Sequence, residues 1–432
     1  LEAPVLAFIL AFIIKYYNTD EAEGVGYVFR ENENLTAYIF MSVIVALFLG
    51  LTVAAEEIIR DRKILKREKF LNLSKGSYLF SKIAIMFAVS AIQILTFVLV
   101  GNTILEIKGM YLEYWVVLFS AACFANMLGL NISSTFDSAV TIYILIPFLV
   151  IPQLILSGVI VKFEKLNPVI TIQKSVPLAG DIMASKWAFE ALAVNQFKNN
   201  KFNKHFFYID KDIKTVSFRK NFWLSRLRDR LNYIEHNFGN EEATEEIGHA
   251  LLLLHNEISK ENRRNDDIQF DAVDSLSSAS FNKKYMEEVS DYLNELYHFY
   301  IDEFKKYNNE KDKLLIELNK TPEDKKAFVE LKDNYTNESL ENLVTNKNEL
   351  DKIIEWQGEL IQRADPIYKS PEGFRAHFLA PSKKLFGVYL TTFSANLIVL
   401  WTFSLILAIT LYYDSLRKLL EMLGKIFKKK KY

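Results

Sequence analysis

A single cysteine, Cys123, occurs in the 432 residues, which leaves no disulfide framework and no cysteine-ligated zinc site. Six histidines are scattered. Only His249 and His255 are close in sequence, and a spacing of six puts them on different helix faces, a poor arrangement for a metal. There is no Gly-x-Ser-x-Gly elbow and no His-Glu-x-x-His run, so no catalytic residue and no metal ligand is assigned. A formal net charge of -1 offers no broad basic face for a nucleic-acid backbone, and nucleic acid is excluded as a partner. The chain opens on Leu1 without a basic lead or a small-residue cleavage pattern, unlike a secretory leader.

Long apolar runs, by contrast, are abundant. They concentrate in residues 3–161 and 386–413, while the stretch between reads as charged and soluble. Six runs emerge: Ala3–Ile14, Leu35–Ala55, Leu79–Val100, Met110–Leu130, Val140–Val161 with Pro147 and Pro152 inside it, and Leu385–Tyr413. The last five suffice to cross a bilayer of about 30 Å. The first meets Asn18 and Asp20 before reaching the roughly 20 residues a spanning helix needs, so the chain is expected to be a piece of a longer protein. No span carries a charge near its centre, which argues against a proton-coupled transporter or a voltage sensor. Gln93, Asn126, Asn131 and Asn396 are read as inter-helix hydrogen-bonding groups.

The flanking charges orient the spans. Arg60, Arg62, Lys63, Lys66, Arg67, Lys69 and Lys75 follow the second, and Arg417, Lys418, Lys425 and Lys428 to Lys431 follow the sixth. Both segments belong in the cytoplasm. The loop holding Asp20, Glu21, Glu23, Glu31 and Glu33 against Arg30 faces out. Alternation then places the insert, residues 162–384, outside the cytoplasm. Met286, Leu293, Tyr300, Tyr307 and Leu314 recur every seven residues, with Val289 and Leu296 between, as the seam of a long amphipathic helix. Thr321-Pro322-Glu323-Asp324 starts another, whose stripe is read through Phe328, Leu331, Tyr335, Leu343, Leu350, Ile354 and Ile361 to complete a helical hairpin. Earlier helices are expected over 221–236 and 241–259, and a mobile linker over 262–282. The fold class is thus an all-α membrane protein. Its parts are helices 1–5 in 1–161, a mainly helical domain in 162–384, helix 6 in 385–413 and a basic tail in 414–432.

Residues 56–82 are the most informative stretch, because Glu56, Glu57, Asp61 and Glu68 among the bases add nothing to topology. A solvated positive-inside loop is one reading. Ion pairs to another cytoplasmic surface or between helix ends are the other, and Asp137 reads as a solvated interface residue. The stretch resembles the segment after the second transmembrane helix in ABC-2 type permeases of the ABCG (white) subfamily, through Arg67-Glu68 and Tyr78 with Phe80 and Lys82. Pro147-Phe148 and Ser157-Gly158-Val159-Ile160-Val161 resemble the family's phenylalanine run ending in Ser-Gly. Met183-Ala-Ser-Lys186-Trp187-Ala188-Phe189-Glu190-Ala191-Leu192, with Asn195-Gln196-Phe197, resembles its signature outside the membrane. The resemblance covers residues 1–197 and the last span and points to a bacterial, Bacteroidota-like version with an enlarged outer insert. Val159 and Ile160 depart from the leucine pair common in relatives.

The resemblance implies the permease half of an ATP-driven exporter for a lipid-like or amphipathic substrate in the bacterial cytoplasmic membrane. Arg62, Lys66, Arg67, Glu68, Lys69 and Tyr78 would couple it to an ATPase. Phe40, Phe48, Phe148, Leu154, Val159 and Ile160 would line the substrate path, although ordinary helix or lipid contact is the alternative for each aromatic. The chain has no phosphate-binding loop of the form Gly-x-x-x-x-Gly-Lys-Ser/Thr, so no cofactor is assigned to it. ATP and Mg would belong to an ABC ATPase domain, fused upstream or separate. Further implied partners are a second copy of the permease, the lipid bilayer and an envelope protein at the outer domain. The competing reading is a membrane-anchored helical scaffold or force-transmitting protein whose outer domain binds a cell-envelope partner.

Overall fold

The computed structural model describes residues 2–16, 26–67, 74–277, 281–371 and 373–429. The chain divides into two compact units: residues 1–203, 330–341 and 371–432 form one, and residues 204–329 and 342–370 the other. The first contains α1 (Glu2–Ile14), α2 (Leu35–Ala55), α3 (Glu57–Arg67), α4 (Lys75–Ile104), α5 (Tyr111–Thr135), α6 (Ala139–Ile155), α7 (Leu178–Asp181) and α8 (Ala184–Lys198). The second contains most of α9 (Asn203–Phe218), then α10 (Leu224–His236), α11 (Thr244–Asn262) and α12 (Lys283–Leu318). α13 (Pro322–Tyr335) and α14 (Glu338–Val344) straddle the division, strands β1 (Ile353–Trp356) and β2 (Glu359–Gln362) belong to the second unit, and β3 (Ser382–Leu385), β4 (Val388–Thr391), α15 (Thr392–Tyr412) and α16 (Ser415–Lys429) return to the first.

Among the described residues, four helices are long and apolar enough to cross a membrane, those built on α2, α4, α5 and α15, and two shorter apolar helices cover 2–14 and 140–155. Their outward faces carry large apolar side chains without protein cover: Phe8 and Phe12 on α1, Ile92 and Leu99 on α4, Ile144 and Phe148 on α6, Leu405 and Ile409 on α15. Water would penalise so continuous an apolar exterior, whereas hydrocarbon does not. The protein is a multi-pass, all-α membrane protein.

α5 is the central helix, packed against α2, α4, α15 and α8. Lipid tails are as apolar as leucine, so helices associate in a membrane by close packing and polar contacts rather than by leaving water. Both devices are present. A Cβ built on Gly50 of α2 would lie 2.5 Å from the Ala122 carbonyl oxygen, and one on Gly129 of α5 would lie 2.8 Å from the Ala54 Cβ. The two backbones therefore approach as closely as glycine and alanine permit. Asn126 donates to the Ser90 hydroxyl of α4 at 2.8 Å, and Asn131 donates to the Leu407 carbonyl of α15 at 2.8 Å while accepting from Thr410 at 3.0 Å. Asn396 joins α15 to α8 through the Trp187 carbonyl at 2.9 Å. Three of the four anticipated polar bridges thus form; the Gln93 side-chain oxygen is buried without a partner.

The two basic segments emerge at one end of this unit, where Lys75 pairs with Asp414. At the other end Arg30 pairs with Asp333 at 3.0 Å, and Asn337 donates to the carbonyls of Phe29 and Asn32. The 330–341 segment thus packs at the end of α2 opposite α3.

The second unit has its own core, in which Leu227, Leu231 and Ile234 of α10 meet Leu251, Leu254 and Ile258 of α11 and Met286, Val289, Leu293 and Leu296 of α12. α9 runs into α10 through a π-helical turn at Arg219–Trp223. That turn directs Arg219 to the buried Glu261 at 2.7 Å and the Trp223 indole N–H to Glu257 at 2.7 Å. The seam of α12 is buried to Tyr300 and half-buried beyond it. Thr321 caps α13 as anticipated, its hydroxyl accepting from the Asp324 N–H while Asp324 accepts from the Thr321 N–H, each at 3.1 Å.

Four expectations are corrected. The stripe through 328–361 is not one helix: Leu350 is exposed, and Ile354 and Ile361 pair across the β1–β2 hairpin. Gln357 and Gly358 at its turn have positive φ, as a two-residue hairpin requires. The loop through 262–277 is packed, with Phe270 and Leu276 buried and Asn262 bonded in both directions to the Phe270 backbone. The last apolar helix starts at Thr392, because 382–391 form the β3–β4 hairpin. α6 ends at Ile155, not Val161.

Replacing Gly50 with leucine should force α2 from α5 and lower the unfolding midpoint of the detergent-solubilised protein, a loss of about 1–3 kcal/mol. An unchanged midpoint would mean that the close approach does not support the bundle.

Candidate functional site

Two polar constellations sit at opposite ends of the bundle. The first gathers around α3, which leaves the end of α2 after Glu56. Lys82 of α4 bridges Glu57 at 2.9 Å and Asp61 at 2.6 Å, and the Tyr78 hydroxyl donates to Asp61 at 3.2 Å. On the α5 side, the Ser133 hydroxyl accepts from the backbone N–H groups of Ile58 and Ile59 at 3.1 and 3.2 Å. Arg62 donates to the carbonyls of Ser134 and Phe136 at 3.0 Å each and pairs with Asp137. A guanidinium at the end of α5 satisfies carbonyls that lack intrahelical partners and sits favourably on the helix dipole.

The mixed charges of 56–82 therefore bind helix ends to one another, the second of the two readings of that stretch. Asp137, expected to be merely solvated, is the partner of Arg62. Of the six residues anticipated to couple to an ATPase, Arg62 and Tyr78 hold α3 in place, Lys66 and Arg67 lie in its last turn with Arg67 exposed, and Glu68 and Lys69 lie outside the described residues.

The second constellation surrounds α8, whose residues 184–197 are all buried. A helix so enclosed must satisfy its polar side chains internally. Ser185 bonds through its N–H and hydroxyl to Gln153 of α6 at 3.0 and 2.6 Å. Glu190 accepts from the Leu379 N–H at 3.0 Å, from Lys383 at 2.7 Å and from Asn396 at 3.0 Å, with Lys186 3.5 Å away. Leu379 takes a left-handed φ of 62°, a strained conformation for a leucine. Both lysines lie over the Trp187 ring, whose N–H donates to the Asp181 carbonyl at 2.7 Å. Asp181 also receives Lys186 and Arg375.

Burial alone would raise the Glu190 carboxyl, but the charges of Lys186 and Lys383 and the hydrogen bonds from Lys383 and Asn396 outweigh it and hold it at about 2. Burial, reinforced by Lys186, lowers Lys383 to about 8 against the pull of Glu190. The carboxylate thus stays ionised, and the nearest readily lost proton sits on Lys383. This cluster joins α8, the 379–383 segment and α15, so it governs how the chain re-enters the bundle after the insert. Sequence reading marked Lys186, Glu190 and Asn396 separately. It missed Lys383, whose partner Glu190 lies 193 residues away in the chain.

The six residues anticipated for a substrate path fall in different surroundings. Phe40 is buried edge-on against Phe189. Phe48 shows 41% of its surface, Phe148 69% and Ile160 61%, while Leu154 and Val159 are half-buried. Ala37, Met41 and Phe48 form one exposed stripe of α2, and α6 packs beside that helix. Val159 and Ile160 lie in the turn beyond α6, where Gly158 has a φ of 81° and a Cβ would meet the Phe163 ring at 2.4 Å. Only glycine fits there.

A bundle of apolar helices with an ion-paired amphipathic helix between two of them, and a buried helix at its far end, defines a polytopic membrane protein. Residues 4–197 match the ABC-2 type transporter family, and this segment is an ABC-2 type permease domain with similarity to ABCG family members. The "ABC transporter G family member STR" of Medicago truncatula is 28% identical over 171 residues, 39% of this chain and 20% of that protein. Its namesake in Petunia hybrida is 27% identical over 175 residues, again 39% and 20%. The matched region thus spans about a fifth of these relatives. No solved structure matches.

Two outcomes follow from the Glu190 cluster. Glu190→Gln removes the counter-charge of the buried Lys383 and leaves Lys186 with Asp181 alone, and should cost about 3–5 kcal/mol of stability in a denaturant titration. Because the folded Lys383 pKa lies below its ordinary 10.5, the unfolded chain binds more protons between pH 8 and 10.5, and wild-type stability should rise with pH across that window. Lys383→Met should lack the rise; identical pH profiles would contradict the assignment.

Proposed function

We propose that this chain is the permease part of an ATP-driven exporter that moves a lipid-like or amphipathic substrate across a bacterial cytoplasmic membrane. An ABC ATPase domain, fused upstream or supplied as a separate protein, would bind ATP and Mg and supply the energy. Two copies of the permease would enclose the path, and the insert 162–384 would stand outside the cytoplasm as a domain that engages an envelope protein. The observation that carries the reading is the anchoring of α3. A short amphipathic helix is fixed by Lys82 and Tyr78 to α4 and by Ser133 and Arg62 to α5, while Arg67 at its free end stays exposed.

Such an element transmits displacement. A push on the Arg67 end reaches three membrane helices at once, because interfaces held by several directional bonds move as bodies rather than bending. A passive anchor has no use for it. The substrate class rests on the apolar stripe of α2 ending at Phe48 and on the exposed Phe148 of α6 and Ile160 beyond that helix, which suit an acyl or ring-bearing molecule and contain no charge. The second unit's separate core suits a domain acting outside the membrane.

In the full-length protein, or with its ATPase partner reconstituted, Arg67→Glu combined with Glu68→Lys should abolish substrate-stimulated ATP hydrolysis while the protein still inserts and folds. Undiminished stimulation would remove the coupling role of α3.

A further inference from the structure

We propose that α16 is an interfacial anchor: an amphipathic helix lying in the headgroup layer beside the end of α15 and held there by anionic phospholipid. This inference does not depend on the exporter reading. Its sequence places Leu416, Leu419, Leu420, Leu423, Ile426 and Phe427 at helical spacings of three and four on one face, and Arg417, Lys418, Lys425 and Lys428 on the other. The sequence continues with Lys430 and Lys431. Against these cations α16 has only Glu421, already paired with Arg417 at 3.1 Å.

α16 packs beside α5 through its first turn, where Leu416 is half-buried, but among its described side chains Leu419 and Leu420 are left 48% and 40% exposed. The position of α16 selects the occupant. α15 carries an apolar exterior through Leu405, Ile406 and Ile409 to the exposed ring pair Tyr412 and Tyr413, the kind of aromatic girdle found at the membrane–water boundary. Asp414, at a φ of 52° and paired with Lys75, then breaks the helix. α16 therefore begins where the hydrocarbon ends, beside the end of α15. A helix with leucine and phenylalanine on one side and lysine on the other lies in that boundary with its apolar face down. Its excess of cations matches anionic headgroups.

The test uses the full chain in nanodiscs, with a nitroxide spin label on Leu420→Cys or Lys418→Cys in separate samples. Cys123 is buried, and the unsubstituted protein serves as the labelling control. In phosphatidylcholine containing phosphatidylglycerol, the label at 420 should collide with oxygen and sit roughly 5–10 Å below the phosphates, while the label at 418 should collide with a water-soluble nickel chelate. Removing phosphatidylglycerol should raise the 420 label towards water. Nickel access at 420 in the anionic membrane would overturn the proposal. So would shielding of 420 from both reagents, which would mean a protein groove covers it, and an unchanged depth without phosphatidylglycerol, which would refute the anionic preference.

Discussion

The close approach of α2 to α5 is the constraint on which the rest of the membrane unit depends. At Gly50 and Gly129 there is no room for a side chain, and the contact sets the position of the helix that α2, α4, α6, α8 and α15 all touch. Once α5 is placed, its polar positions fix the neighbours in turn. Asn126 fixes α4, Asn131 fixes α15, Ser133 fixes α3, and the carbonyls at its end receive Arg62. In hydrocarbon no hydrophobic force gathers helices. The geometry is therefore decided by where backbones can meet and where isolated polar groups find partners.

The two ends of the bundle obey that rule with different chemistry. At the basic end, ion pairs and hydrogen bonds tie α3 to two helices, with Glu57, Asp61, Lys82 and Arg62 mostly covered and Asp137 open to water. At the other end, Glu190 with Lys186 and Lys383 is fully enclosed. A buried group of this kind adds little net stability over an apolar packing but is costly to break, so it specifies one arrangement of α8, the 379–383 segment and α15.

Much of this was legible beforehand. The runs that became α2, α4, α5 and α15 could be read because a stretch so apolar has few other soluble or membrane fates. The charge asymmetry grouped the basic segment after α2 with the tail, and the Lys75–Asp414 pair brings the two together. Two β-hairpins were misread, since Leu385, Val388 and Leu390, or Ile354 and Ile361, are as apolar as a helix stripe. The signals that distinguish them are single dipeptides, Phe386-Gly387 and Gln357-Gly358, where φ turns positive. The Gln93 bridge failed because an amide in the right run need not face a partner.

The sequence by itself determined that this protein lives in a bilayer, where its apolar segments fall, which ends carry the positive charge, and that α8 carries a family signature. These follow from composition and short-range spacing, which the chain displays directly. Only the tertiary structure decided which charges meet. Glu190 finds Lys383 across the whole insert, Arg62 closes the end of α5, and Phe40 turns inward to Phe189 while Phe48 faces out. Each of those pairings depends on how the helices are rotated about their axes, and that rotation is set by glycine contacts and polar partners far apart in sequence.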